Sequence, residues 1–246
     1  MAWSKKPDDL RFVTVGVKEL KFWNPADATK KLSQKGIFEQ RAEQTFFTCA
    51  VFDTEGNCYS AGANGSVYVW DSNNQLKTAF KAHDGEITAL AHENGKLITG
   101  GKDKKVVVFS ANGQGPETIE KKFDLVEDHE DEGDDDHDGY FAYPRSLDYF
   151  NGKILVGQRE GKILEIDVAS GEKKLLLASH HEGEAWGLEV IPEDNTILTI
   201  GDDNKIFAFD YLNRKLKSEG EIHAEGKHGK KAKVVASTLS EYHGTD

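Results

Sequence analysis

The chain has 246 residues, 37% hydrophobic and 30% charged, with 24 Gly, one Met and a net charge of −12. That length allows one large domain or two small ones, and no apolar run approaches the ~18 residues needed to span a bilayer. Two cysteines make no disulfide framework, and the N-terminal MAWSKKPDDL lacks an apolar signal-peptide core, so a cytosolic, reduced, soluble protein is expected.

Taken in chain order, residues 1–4 (MAWS) read as the end of an inner strand, and residues 10–24 (LRFVTVGVKELKFWN) as the first hairpin. A strand over Phe46–Phe52 leads into the hairpin NCYSAGANGSVYVWD at 57–71, and a looser strand follows at Leu76–Phe80. The third group has Ile87–Ala91, KLITGGKDKKVVVFS at 96–110, and Glu117–Leu125. Residues 127–138 (EDHEDEGDDDHD) interrupt the pattern with nine carboxylates and no Lys or Arg, leaving the rest of the chain near −3. A broad basic surface for nucleic acid is therefore not supported. The fourth group has Ser146–Phe150, KILVGQREGKILEID at 153–167, and Lys173–Ala178; the fifth has Ala185–Ile191, TILTIGDDNKIFAFD at 196–210, and Leu216–Ile222. KVVASTLSEY at 233–242 reads as the first strand of a sixth.

Each hairpin is an apolar run, a glycine, a polar turn and an alternating strand closed by Trp, Phe or Ile, with a polar residue next: Asn24, Asp71, Ser110, Asp167, Asp210. The closing residues are 47, 39, 57 and 43 residues apart, the long step being the one that holds the acidic run. Four short strands per ~40–45 residues is the period of propeller blades. The expected fold is all-β, a WD40-type β-propeller portion. Its blades fall at about 1–43, 44–82, 83–126, 143–179 and 180–223, with an acidic insert at 127–142 and the start of a further blade at 233–246.

Gly100-Gly101-Lys102 is not a phosphate loop. The P-loop pattern needs a helix next, and Val106-Val107-Val108-Phe109 favours a strand. Gly101 is expected to supply either backbone freedom or room for close packing.

Several stretches are more specific than a generic WD repeat. FVTVGVKELKFWN, SQKGIF (33–38), FKAHDGEITAL (80–90), ITGGKDKKVV (98–107), GKILVGQREGKILEID (152–167) and HHEGEAWGLEVIPEDNTILTIGDDNKIFAFD (180–210) occur in that order. They resemble the echinoderm microtubule-associated protein-like family over most of residues 10–210. The resemblance implies a portion of a larger or tandem propeller, because residues 1–246 show none of the family's trimerisation helix, basic region or preceding hydrophobic motif. It also implies a non-enzymatic scaffold. Its partners would be tubulin, microtubule-associated or axonemal proteins, and its location the cytoplasm, cytoskeleton and cilium. A WD scaffold in another cytosolic complex is the alternative, and blade edges would be covered by further blades or another chain.

His83, Thr99, Asp103 and Phe109 form one expected blade-internal hydrogen-bond set, with Phe109 in the place of a tryptophan; His180, Thr199, Asp203 and Phe209 form a second. A buried imidazole must find partners. No nucleophile recurs beside these pairs, so neither an active site nor a cofactor is expected. The acidic run fails as an EF-hand: starting from Asp128, its twelfth position is Gly139 rather than a bidentate glutamate. No metal site is expected, and Asp128, Asp134 and Asp136 are the carboxylates that weak divalent binding would use. Propellers bind through rigidly held turns, which makes Asp84, Lys102, Lys104, Arg159, Glu182 and Asp202 the candidate protein contacts. KHGKKAK at 227–233 reads as a solvated loop, Trp23, Trp70 and Trp186 as core or rim packing, and Cys49 and Cys58 as inert thiols.

Overall fold

The computed structural model describes residues 1–17, 19–26, 33–38, 45–111, 113, 118–126, 142–159, 161–180 and 185–222. These residues form twenty strands and one short 3₁₀ turn, Pro192–Asp194. The strands are β1 (Ala2–Trp3), β2 (Phe12–Gly16), β3 (Glu19–Trp23) and β4 (Ser33–Lys35), then β5 (Phe47–Phe52), β6 (Cys58–Gly62), β7 (Ser66–Trp70) and β8 (Leu76–Lys81). Next come β9 (Ile87–Glu93), β10 (Lys96–Gly101), β11 (Lys105–Ser110) and β12 (Thr118–Asp124), then β13 (Pro144–Phe150), β14 (Lys153–Gln158), β15 (Ile163–Asp167) and β16 (Lys173–Leu177). The last group is β17 (Ala185–Ile191), β18 (Thr196–Gly201), β19 (Lys205–Asp210) and β20 (Lys215–Glu221). Each group is one four-stranded sheet in sequence order, so the fold is five meanders without a crossover.

The hairpins form because β-branched and aromatic residues fill the strands while turn residues adopt conformations that those cannot. Asn74, Asn94, Asn151, Asn195 and Asn204 all have positive φ. The polar residue after each closing position has a local task. Asp71 Oδ1 accepts the amides of Asn73 and Gln75. Asp167 Oδ1 accepts those of Ala169 and Ser170, and Asp210 Oδ1 those of Leu212 and Asn213. These amides, with the Ser170 hydroxyl and the Asn213 side chain, hold the Asp167 and Asp210 carboxyls below the usual carboxylate range.

The chain divides into two compact units: Met1–Gln158 with Glu165–Lys173, and Arg159–Leu164 with Lys174–Asp246. In the first, sheets stack face to face. Val13, Leu20 and Phe22 of the first sheet cover Phe47, Phe52, Cys58, Tyr68, Trp70 and Leu76 of the second. Tyr59, Ala61, Val67 and Val69 on the other face of the second sheet cover Ile87, Leu97, Val107 and Phe109 of the third. Full burial of side chains such as Trp70, Phe52 and Leu97 supplies roughly 1.5–3 kcal/mol each. Hydroxyls on the inner strands add cross-sheet bonds: Thr48 Oγ1 donates to Ile87 O at 2.6 Å, and Thr88 Oγ1 donates to Pro144 O. Both threonines sit where the β-ladder register shifts by a residue.

Strand pairing lines up one row of residues across each sheet. The rows are Trp3–Phe12–Trp23, Phe52–Cys58–Trp70 and His92–Leu97–Phe109. In the fourth sheet Tyr149 pairs with Ile154, and in the fifth the row is Val190–Ile197–Phe209. In the second and third sheets this row lies under the sheet before it. The fourth strand ends each sheet, and β8, β12, β16 and β20 carry two lysines each: Lys77 and Lys81, Lys121 and Lys122, Lys173 and Lys174, Lys215 and Lys217.

An N-terminal strap crosses the first unit. Arg11 holds Asp9 through Nε and Nη2, at 2.8 and 2.6 Å, and reaches Ser72 O and Gly56 O on the second sheet. Lys5 Nζ donates to His92 O on the third, at 2.5 Å. Burial opposes the Asp9 carboxylate, but hydrogen bonds from Arg11 and Ser4 outweigh it and lower its pKa.

Candidate functional site

Of the residues singled out above, Lys102, Asp103, Lys104, Arg159, Asp202 and Asp203 lie at the turns between the second and third strands of their sheets. In the third sheet, His83 Nδ1 meets Asp103 Oδ1 at 2.8 Å and His83 Nε2 meets Thr99 Oγ1 at 2.7 Å. In the second unit, His180 Nδ1 meets Asp203 Oδ1 at 2.8 Å and His180 Nε2 meets Thr199 Oγ1 at 3.0 Å. With the Nδ1–H donating to the carboxylate, Nε2 accepts from the threonine hydroxyl, and every polar atom of the ring is satisfied. Burial works against the Asp103 carboxylate. The hydrogen bond and electrostatic pull of the His83 ring and the amides of Asp84 and Lys105 more than offset it, so its pKa is lowered.

The glycine beside each pair has no positive φ. A Cβ on Gly101 would lie 2.5 Å from both His83 Nδ1 and Asp103 Oδ1, and one on Gly201 would lie 2.7 Å from His180 Nδ1. Of the two roles open to Gly101, close packing is the one found. The left-handed residue of the turn is Lys104, φ 61°, matched by Asn204 at 57° and Gly65 at 76°. Its carbonyl anchors the outer strand: Leu125 N–H donates to Lys104 O, Ile222 N–H to Asn204 O and Ala82 N–H to Gly65 O.

The side chains of Phe109 and Phe209 carry no N–H and stand outside these hydrogen-bond chains. Phe109 is buried and packs on Phe80, ring centroids 5.2 Å apart. Phe209 packs on Phe207, which in turn lies edge-on to His180. Where the closing residue is Trp, the same hydroxyl position serves the indole instead. Trp23 Nε1–H donates to Thr14 Oγ1 at 2.9 Å, and Trp70 Nε1–H to Ser60 Oγ at 2.8 Å. The sequence reading missed both hydroxyls, although a buried indole N–H calls for an acceptor. In the second sheet Asn64 stands at the aspartate position and bonds Tyr68 OH.

Asp84, Lys102 and Lys104 share one end of the third sheet. The Asp84 amide donates to Asp103 Oδ2 at 3.2 Å, and Lys102 pairs with Glu86 at 2.6 Å. Arg159 and Asp202 belong to the second unit. Glu182, Asp128, Asp134, Asp136, the lysine cluster at 227–233, the strand expected at 233–242 and the Trp186 side chain lie outside the described residues. Among the described residues, no group of three or more His, Cys, Asp or Glu is placed to hold a metal ion, and no helix is long and apolar enough to cross a membrane. Cys58 is buried and Cys49 partly so; burial pushes the Cys49 thiol up to about 11 and the Cys58 thiol higher still.

Five four-stranded antiparallel meanders, each in sequence order, define a WD40-type β-propeller fold. The model of the WD domain, G-beta repeat, matches residues 73–110. The WD40 β-propeller domain of Doa1 superposes with a TM-score of 0.51 at 16% identity, covering 86% of this chain and 64% of that one. A chain of a mitotic checkpoint complex gives 0.57 at 13% identity, covering 89% and 62%.

Sequence comparison is more specific. The chain is 40% identical over 244 residues to the ciliary WD repeat-containing protein ctxp80 of Euplotoides octocarinatus, covering 98% of this chain and 31% of that protein. It is 30% identical over 209 residues to the 77 kDa echinoderm microtubule-associated protein of Lytechinus variegatus, covering 83% and 29%. The human echinoderm microtubule-associated protein-like 3 is 25% identical over 228 residues, covering 82% and 23%. The chain is a WD-repeat β-propeller segment that matches the echinoderm microtubule-associated protein-like family, and it spans less than a third of the length of these relatives.

Proposed function

We propose that the chain is a non-catalytic cytoskeletal scaffold that binds tubulin, microtubule-associated or ciliary proteins through its propeller turns. The observation that carries this reading is the 40% identity to a ciliary WD-repeat protein over nearly the whole chain. The geometry supports it: Asp84, Lys102 and Lys104 flank the buried His83–Asp103 pair, which fixes the turn that presents them. Rigid presentation lowers the entropy lost on docking. Its site of action is then the cytoskeleton, including the cilium.

The test is co-sedimentation of the chain with stabilised microtubules and, separately, with isolated axonemes. Binding that weakens in Lys102→Glu/Lys104→Glu at unchanged melting temperature supports the proposal. No pelleting with either, alongside affinity capture of an unrelated cytosolic assembly, replaces it with a scaffold in another complex.

A further inference from the structure

His92 occupies a position that is aromatic in the other three sheets of the first unit: Trp3, Phe52 and Tyr149 pair with the second strand of their sheets as His92 pairs with Leu97. Its ring is buried and stacked on Tyr59 of the preceding sheet, centroids 5.5 Å apart and planes 17° apart. Neither ring nitrogen has a hydrogen-bond partner. The imidazole therefore does the packing work of a phenyl ring, while carrying a titratable group that a phenyl lacks.

The charged groups around it are Asp53 on the turn after β5, Lys5 of the strap and Glu93 on its own strand. Asp53 is already committed: Oδ1 accepts the amides of Glu55 and Asn57, and Oδ2 accepts the Asn57 side chain. Lys5 brings a positive charge onto the His92 carbonyl itself. Burial is the main cause holding the ring below the usual imidazole range. The Tyr59 hydroxyl on the far side accepts the Gly113 amide at 2.9 Å, which ties that segment to the same seam.

We propose that His92 makes the seam between the second and third sheets open in mild acid: the neutral ring stacks dry on Tyr59, and the protonated ring, whose nitrogens meet no hydrogen-bond partner there, must leave. Opening costs the stack and exposes the Tyr59–Gly113 bond and the Lys5 anchor. Because the folded ring binds its proton less readily than the unfolded one, the stabilising effect is present at neutral pH and lost as pH falls.

The test is hydrogen exchange in the full chain, corrected for the intrinsic pH dependence of exchange. As pH falls from about 7.5, protection at Gly113 and along β9 should start to drop near the open ring's ~6.5, by up to tenfold per pH unit, and level off once the folded ring's own lower midpoint is passed. His92→Phe, the residue that the second sheet carries at Phe52, should keep the protection flat. The paired imidazoles of His83 and His180 remain in that variant, so any response that they cause persists there. A proton NMR titration of the native ring gives a second readout, with a midpoint expected below ~6.5. Equal loss of protection in His92→Phe, no loss in the native chain, or a ring that titrates at ~6.5 or above would overturn the proposal.

Discussion

His83 and Asp103, twenty residues apart in sequence, meet at 2.8 Å across the bare Cα of Gly101. The glycine leaves the space in which the imidazole and carboxylate touch, and the three residues act as one unit. Gly101→Ala should therefore destabilise by about 1–3 kcal/mol through overpacking alone. Asp103→Ala should cost a similar ~1–3 kcal/mol by orphaning a buried Nδ1–H. For a chain of this size each kcal/mol lowers the melting temperature by roughly 2–4 °C. An unchanged melt in either variant would remove the unit.

The same pair has a pH signature. The Asp103 carboxyl titrates below its ordinary value of 3.8, so its contribution is fully present above that value and is lost as pH falls through the folded pKa. The stability difference between wild type and Asp103→Asn should shrink on acidification below about pH 4. Parallel melting curves from pH 7 to pH 3 would check this. The His92 effect begins at higher pH and should remain in Asp103→Asn.

Lys104 holds a left-handed conformation that Gly65 supplies without strain in the second sheet. Lys104→Gly should stabilise the chain by up to ~1 kcal/mol, because the strain of a side chain there exceeds the extra entropy of glycine when unfolded. Chemical denaturation gives the sign, and a loss of stability would show that the Lys104 side chain contributes more than its backbone costs.

Ser60 and Thr14 accept indole N–H groups in different surroundings. Trp70 is wholly buried, whereas Trp23 is half-buried with water within reach. Ser60→Ala should thus cost about 1–3 kcal/mol, and Thr14→Ala under ~1 kcal/mol. Equal losses would mean that Trp23 is as dry as Trp70.

Neither thiol should react readily in the native state. With Cys49 raised to about 11 and Cys58 fully buried, the thiolate is scarce at pH 8. Labelling with a chromogenic disulfide should need urea, and rapid native labelling would mark Cys49 as exposed.

Much of the strand plan was legible in the residues. The inner strand read at Ala185–Ile191 is the one found, and most of the others differ by a residue or two. Period-2 alternation and turn residues act locally, so a linear reading reaches them. The aspartates after the closing residues, Asp71, Asp167 and Asp210, were also legible, and their capping role follows from side-chain length. What the sequence hid depends on approaches between distant segments. The use of Gly101 required His83 in place, and the role of His92 required Tyr59 on the facing sheet. Arg11 serves Gly56 and Ser72, 45 and 61 residues away. The hydroxyls of Ser60 and Thr14 lie two residues from their row, a spacing that becomes visible only once the register is known.

The lysine pairs on β8, β12, β16 and β20 have a consequence for crowded surroundings. Ammonium groups along an exposed backbone edge make it costly for a second molecule to add a strand there. Neutralising them, as lysine acetylation does, should lower that barrier to strand addition at each rim.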